Sequence, residues 1–352
     1  MPRIKLSVCI PTYNRAQFIG ETIRSVLGQA DNSIEIVIVD GASTDNTADV
    51  VSGFEPEFNN LTYYRGERKM GVDRDMAKTI ELSRGEYCWM LSDDDLLKPG
   101  AINRMLKEIE SGYEIFLCNV TACNLTMQPM YDRSWLSRGV KDRVFNLHEK
   151  RDFIAYCNEA DSIGALFSYM SSIVLRREEW NRVGYIPDSD GTAYALASSL
   201  LSFTKRRCRL KYISTPLISW RNDNESFQNE GGLVKRFLLD FDGYLKLANR
   251  YFTDDKEVRN AFLEVMTREH PWYTIINVTS FIDSDESWKH FKGKLLAFRY
   301  NPRTVAICYA LGRYHNVVSL GVKIKRRIVR SAFRRWIKKS AELFSRTYHG
   351  RK

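Results

Sequence analysis

Asp93, Asp94 and Asp95 stand side by side in CWMLSDDDLLKPGA, the stretch from Cys88 to Ala101, directly behind a run of apolar residues. Three adjacent carboxylates repel one another, and in a partly desolvated crevice that repulsion is severe unless protons or a cation offset it. A hard divalent cation does so most simply, since Mg²⁺ and Mn²⁺ take oxygen ligands and Mg²⁺ is usually held by one or two carboxylates together with substrate phosphates. The structural alternative has Asp94 or Asp95 capping a helix that opens near LKPGAINRMLKEIE; the position of the triplet after a buried strand favours the cation. Asp40, behind the run IEIVIV, can accept hydrogen bonds but not donate them, and it can equally open the turn DGAST. Arg221 and Asp223 lie in a polar loop, RNDNESFQNEGG (221–232), where an ordinary solvated loop is the competing reading.

The elements that must position these groups are short. LSVCI (6–10), IEIVIV (34–39) and EYCWML (86–91) are apolar runs too short for helices and read as buried strands. Between the first two, NRAQFIGETIRSVLGQ sets Phe18/Ile19, Thr22/Ile23 and Val26/Leu27 on one helix face, and Asn14 with Gln17 resembles a capping box. STDNTADVV and DRDMAKTIELS offer two more helix starts with Asp or Ser/Thr caps. Strands alternating with helices imply right-handed crossovers and a parallel sheet, whose ligands bind outside the carboxyl ends of the strands. Pro11, Thr12, Tyr13, Asp40 and the triplet all follow strands directly, so they are expected to line one crevice. Further strands are expected at EIFLCNV, FSYMSSIVL and LKYIS, and from LVKRFLLDFDGYLKLANRYF onward the chain reads as helical.

The 352 residues can bury a large core without staples. Seven scattered cysteines with no CxxC pair point to reduced thiols, and neither a signal peptide nor an uninterrupted membrane-spanning run is expected. The net charge of +10 is unevenly placed: residues 322–352 hold twelve Lys/Arg against Glu342 alone, a local charge of +11, which leaves the remainder at −1. In that tail Val329, Phe333, Trp336, Ile337 and Phe344 fall near one helical face among the cations, the composition of a helix lying on an anionic membrane. A solvated helix or a nucleic-acid contact are the alternatives.

SVCIPTYNRAQFIGETIRSVLGQ, IVIVDGASTDNTADVV and GVDRDMAKTIELSRGEYCWMLSDDD, in this order and spacing, resemble the nucleotide-sugar motifs of family 2 glycosyltransferases. RSWL (133–136), FSYMSSIVL (167–175), YISTPL (212–217), DFDGYLKLAN (240–249) and HPWYT (270–274) are similar to O-antigen abequosyltransferase-type enzymes, up to about residue 275. The resemblance implies an α/β GT-A (Rossmann-like) fold with a mixed, mainly parallel sheet flanked by helices. It implies a catalytic domain over 1–232, divided near 112 into nucleotide-sugar and acceptor halves, after which the residue pattern gives a helical region over 233–321 and the basic tail over 322–352 a membrane-surface helix. By the same resemblance Pro11, Thr12 and Tyr13 border the nucleobase, Asp40 accepts from base or ribose, Arg74 contacts base or diphosphate, and Arg221 faces the diphosphate. Asp93 lies by the ribose and, with Asp95, holds Mg²⁺ or Mn²⁺, while Asp94 is the more replaceable donor-binding partner. Asp223 stands where many members have a metal-binding His.

For the catalytic base of an inverting transfer the expectation is Asp190, then Asp188, both in IPDSDGTAYALASS, where no clean Glu-Asp motif is present and a turn is the alternative. The implied partners are a CDP-sugar, possession of a 3,6-dideoxyhexose such as abequose being one option, a polyprenyl-diphosphate-linked oligosaccharide and an anionic membrane surface, with no nucleic acid. The implied location is the inner face of a bacterial cytoplasmic membrane, bound peripherally. A sugar nucleotidyltransferase would carry a Gly-rich phosphate loop near its N-terminus, which SVCIPTYNRAQ lacks. A non-catalytic binding module using the tail is the third reading, and the intact triplet argues against it.

Overall fold

A computed structural model of the chain describes residues 3–187, 192, 194–222, 224, 232–282 and 284–321. Asp188, Asp190, Asp223 and the tail 322–352 lie outside the described residues.

Among the described residues the three expected strands lie side by side in one half of a ten-stranded sheet. They are β1 (Leu6–Thr12), β2 (Ile34–Asp40) and β4 (Tyr87–Met90), and every residue in them is buried. Burial on both faces explains their unbroken apolar sequences, as parallel strands covered by helices require. The strand β3 (Leu61–Arg65) continues the parallel set at one edge. Crossover helices α1 (Ala16–Leu27), α2 (Thr47–Ser52) and α3 (Val72–Leu82) connect these strands.

The second half of the sheet is mixed. It contains β5 (Leu96–Leu97), β6 (Ile115–Cys123), β7 (Pro129–Arg133), β8 (Arg143–Asn146), β9 (Ile173–Arg176) and β10 (Arg209–Arg221). The order runs β3-β2-β1-β4-β9-β6-β10-β5, with β7 on β6 and β8 on β10. Strand β9 is antiparallel to both neighbours, whereas β6 and β10 pair in parallel. Helices α4 (Ala101–Ile109), α5 (Lys150–Glu159), α6 (Arg177–Val183) and α7 (Ala195–Phe203) complete this part.

Three local expectations are corrected. Asn14 does not cap α1: its Oδ1 accepts from the Thr44 amide at 2.8 Å, and the Ala16 amide is served instead by Asp45 Oδ2 at 3.1 Å. Likewise α3 begins behind Gly71, with no side-chain cap. FSYMSSIVL is a strand only from Ile173, because Met170–Ser172 form a 3₁₀ turn that brings Ser171 and Tyr169 to Asp95.

Beyond β10 the chain is helical among the described residues: α8 (Gly232–Tyr251), α9 (Lys256–Glu269), α10 (Trp272–Thr279), α11 (Asp285–Ala297) and α12 (Pro302–Gly321). The chain divides into two compact units, Met1–Ser226 with Asp242–Glu269, and Phe227–Phe241 with His270–Lys352. The division falls within α8, so α9 belongs to the sheet unit, where Tyr244 donates to the carbonyl of Leu166 at 3.0 Å and its ring lies 5.8 Å from that of Phe262. The second unit has its own aromatic core, with the rings of Phe241 and Phe298 4.9 Å apart and Phe291 also fully buried. No helix among the described residues is long and apolar enough to cross a membrane.

Candidate active site

Parallel pairing brings the ends of β1, β2 and β4 together: Thr12 lies opposite Asp40, and the Leu91 amide donates to the Cys9 carbonyl at 2.9 Å. The loops leaving β1 and β2 are then tied to each other. The Gly41 amide donates to the Thr12 carbonyl at 2.9 Å, the Asn14 amide to Ser43 Oγ at 2.8 Å, and the Arg15 amide to Thr47 Oγ1 at 3.0 Å. Pro11, Thr12, Tyr13 and Asp40 therefore share one edge of the sheet. The Tyr13 ring is half-buried, with the Lys69 ammonium 4.1 Å from its centroid.

Asp40 is fully buried and accepts from the Ser43 amide at 2.7 Å and the Tyr63 hydroxyl at 2.6 Å. Burial, and then the hydrogen bond to Asp40, push the Tyr63 hydroxyl above its ordinary value, so it remains a donor. Behind Asp40 stands a second buried carboxylate, Asp75 of α3, raised to about 6 by burial and then by the charge of Asp40, with Lys69 pulling the other way. A Cβ on Gly41 would meet Asp75 Oδ2 at 2.5 Å, so glycine is what lets the two approach. Arg74 is exposed on α3, between the buried acids Asp73 and Asp75. Asp73 accepts from the Ala195 amide at 3.3 Å.

All three triplet side chains are buried. Arg15 Nε lies 3.5 Å from Asp93 Oδ1. Asp94 accepts from Ser92 Oγ at 2.6 Å and from Asn224 Nδ2 at 2.7 Å. Asp95 accepts from Tyr169 Oη at 2.5 Å and Ser171 Oγ at 2.6 Å on one oxygen and from the Arg221 amide at 3.0 Å on the other. Even so, Asp93 and Asp95 are each pushed up to about 7, by burial first and by the neighbouring Asp94 second. The cluster thus holds less positive charge than its carboxylates need.

That deficit, with donor atoms that are all hard oxygens, fits Mg²⁺ or Mn²⁺. Among the described residues no three His, Cys, Asp or Glu side chains come together as a ready ligand set.

Arg221 is 4 % exposed and braces the triplet. Its Nε donates to the Asp94 carbonyl at 3.0 Å, one Nη to the Leu125 carbonyl at 2.5 Å and the other to Glu21 at 2.6 Å, with the guanidinium 4.8 Å from the centre of the Phe18 ring.

Sequence reasoning missed Asp75, Tyr63, Tyr169 and Ser171. A glycine directly behind Asp40 was the available signal for Asp75, and four hydroxyls in FSYMSSIVL were the signal that this run is not wholly a strand.

A sequence profile for Glycosyl transferase family 2 matches residues 7–176. Abequosyltransferase RfbV of Salmonella typhimurium is 35% identical over 288 residues, covering 80% of this chain and 86% of the relative. A Campylobacter jejuni protein named GalNAc(5)-diNAcBac-PP-undecaprenol beta-1,3-glucosyltransferase is 26% identical over 183 residues, 51% of this chain and 56% of the relative. Among solved structures, S. aureus TarS 1-349 in complex with UDP aligns with a TM-score of 0.59 at 16% identity, over 84% of this chain and 80% of that one. A likeness at that identity concerns the fold alone, and the fold it supports is GT-A. The sequence relationships carry further: the chain belongs to glycosyl transferase family 2 and is a glycosyltransferase, similar to abequosyltransferases.

Proposed function

We propose that the enzyme moves a sugar from a nucleoside-diphosphate donor to a polyprenyl-diphosphate-linked oligosaccharide during assembly of an O-antigen or related surface polysaccharide. The favoured donor is CDP-linked, with a 3,6-dideoxyhexose such as abequose as the sugar. The observation that carries this reading is the buried, charge-deficient triplet at the same sheet edge as Thr12, Tyr13 and Asp40. Likeness to an abequosyltransferase supports the sugar class, and a relative named for an undecaprenol-linked substrate supports a lipid-linked acceptor. Structural neighbours in complex with UDP and with UDP-GlcNAc support a nucleotide-sugar donor, and a mannosyltransferase in complex with GDP-Man and Mn²⁺ supports a metal.

In this reading Pro11, Thr12 and Tyr13 border the base, Asp40 accepts from base or ribose, and Asp93 and Asp94 face the ribose and diphosphate. Arg74 reaches the donor from α3. Asp93 and Asp95, joined by Asp223, would hold Mg²⁺ or Mn²⁺. When bound there, the cation would supply positive charge against the departing nucleoside diphosphate. Tyr169 and Ser171 orient Asp95, and Arg221 orients the triplet backbone while presenting positive charge to the diphosphate. Asp190, or Asp188 in its place, takes the proton of the acceptor hydroxyl as that oxygen attacks the anomeric carbon, with inversion. The basic tail holds the enzyme peripherally on the inner face of the cytoplasmic membrane.

Incubating the full chain with a CDP-linked 3,6-dideoxyhexose, Mn²⁺ and a lipid-linked acceptor tests the reading. It predicts release of CDP and a glycosylated lipid. Transfer from a UDP-, GDP- or dTDP-sugar instead would overturn the base assignment, and no transfer from any donor would overturn the whole.

A further inference from the structure

We propose that the exposed apolar face of α12 is a docking surface for an anionic phospholipid bilayer. The inference rests on the lipid-linked acceptor proposed above and extends membrane contact from the tail to a folded surface.

Helix α12 has two unlike faces. Val305, Cys308 and Gly312 turn inward and are buried. The Thr279 hydroxyl donates to the Cys308 carbonyl at 3.1 Å, and a Cβ on Gly312 would lie 2.2 Å from Thr279 Oγ1, so α10 and α12 are in close contact there. Ile307, Leu311 and Tyr314, spaced by four and three residues, fall on the opposite side and are 59%, 46% and 69% exposed. Trp272 and Tyr273 at the start of α10, and Phe281 behind its end, are also exposed. Single exposed apolar side chains are ordinary, but a stripe of three along one helix face marks an interaction surface.

The charge that follows identifies what covers it. Residues 322–352 begin where α12 ends and carry +11, against −1 for the rest of the chain. Cations in continuity with an apolar face suit anionic headgroups above an acyl boundary, and Trp and Tyr favour that boundary because each joins an apolar ring to a polar tip.

The test is co-sedimentation of the full chain with vesicles containing phosphatidylglycerol and with vesicles of phosphatidylcholine alone. The proposal predicts partition into the anionic vesicles. It further predicts that Ile307→Glu, Leu311→Glu and Tyr314→Glu together weaken partition by about tenfold or more, with circular dichroism and nucleotide binding unchanged. Ile307→Ser with Leu311→Ser provides a milder variant whose partition falls in the same direction. Partition of either variant equal to wild type, or no partition of wild type, would overturn the proposal. So would a wild-type dimer, seen by light scattering, that the variants dissociate without changing vesicle binding. Vesicle binding that follows this pattern while the lipid-linked acceptor goes unglycosylated would sink the acceptor reading and leave the docking surface standing.

Discussion

Glu35 and Asp95 are both buried carboxylates of the sheet unit, one near the start of β2 and the other beyond the end of β4, yet their surroundings differ in kind. Glu35 accepts from the Ser7 hydroxyl at 2.6 Å, the Arg84 amide at 2.5 Å, the Gly85 amide at 3.2 Å and the Arg84 guanidinium at 2.7 Å. Its charge is met by a cation and three further donors. Glu114, just ahead of β6, is treated the same way by the amide and guanidinium of Arg209 at 2.6 and 3.1 Å. Asp95 also receives three hydrogen bonds, but it sits in a row with Asp93 and Asp94, and burial with mutual repulsion raises it to about 7. Hydrogen bonds satisfy lone pairs without cancelling net charge. The carboxylates at the amino ends of the strands are therefore neutralised from within the fold, whereas the triplet at the carboxyl ends keeps its mutual repulsion.

The difference is broken most severely at the triplet. Asp95→Asn should reduce transfer by about 1000-fold, the loss expected when charge stabilisation of the leaving diphosphate is removed, while thermal unfolding stays within about 1 kcal/mol of wild type. Full activity in this variant would remove the metal role assigned to Asp95. Glu35→Ala should do the reverse: a loss of about 2 kcal/mol in stability from donors left without an acceptor, with nucleotide affinity of the folded protein unchanged. A weakened nucleotide site in that variant would mean the two edges are not independent.

Two smaller effects sharpen the contrast within the carboxyl edge. Asp75, raised to about 6, favours its protonated form in the fold relative to an unfolded value near ~3.9. Its contribution is therefore fully present below about pH 4 and is lost as the pH rises through about 6. Asp75→Asn should flatten that part of the stability profile and stabilise the protein above pH 6 by on the order of 1 kcal/mol. An unchanged profile by chemical denaturation would show that Asp75 is solvated. Tyr63→Phe removes one of the two donors to Asp40 and should weaken nucleotide binding by up to about tenfold. No change by calorimetry would detach Asp40 from the base pocket.

Much of this geometry was legible in the sequence where burial leaves a mark. Strands β1, β2 and β4 are covered on both faces and read as unbroken apolar runs, and parallel topology then requires their polar ends to meet. β3 was not legible because LTYYR is an edge strand with its residues half-buried or exposed, and so lacks that signature. The side chains that shape the site were harder because their partners are distant in sequence. Asn14 and Gln17 have the spacing of a capping box, but Asn14 is taken by Thr44 from the next loop. Asp75 was read only as part of a helix start, and its close approach to Gly41 joins two segments distant in sequence. Arg221 was read as a diphosphate contact, whereas the contacts it makes in the fold, to Asp94, Leu125 and Glu21, join residues far apart along the chain.

The claim that the carboxyl edge is completed by a cation and a nucleotide is tested most directly by isothermal titration calorimetry of the full chain with CDP, UDP, GDP and dTDP, each with and without Mn²⁺. The account predicts Mn²⁺-dependent binding of CDP, abolished by Asp95→Asn and retained in the folded fraction of Glu35→Ala. Binding of no nucleotide in the presence of Mn²⁺, or equal CDP affinity with and without the metal, would contradict it.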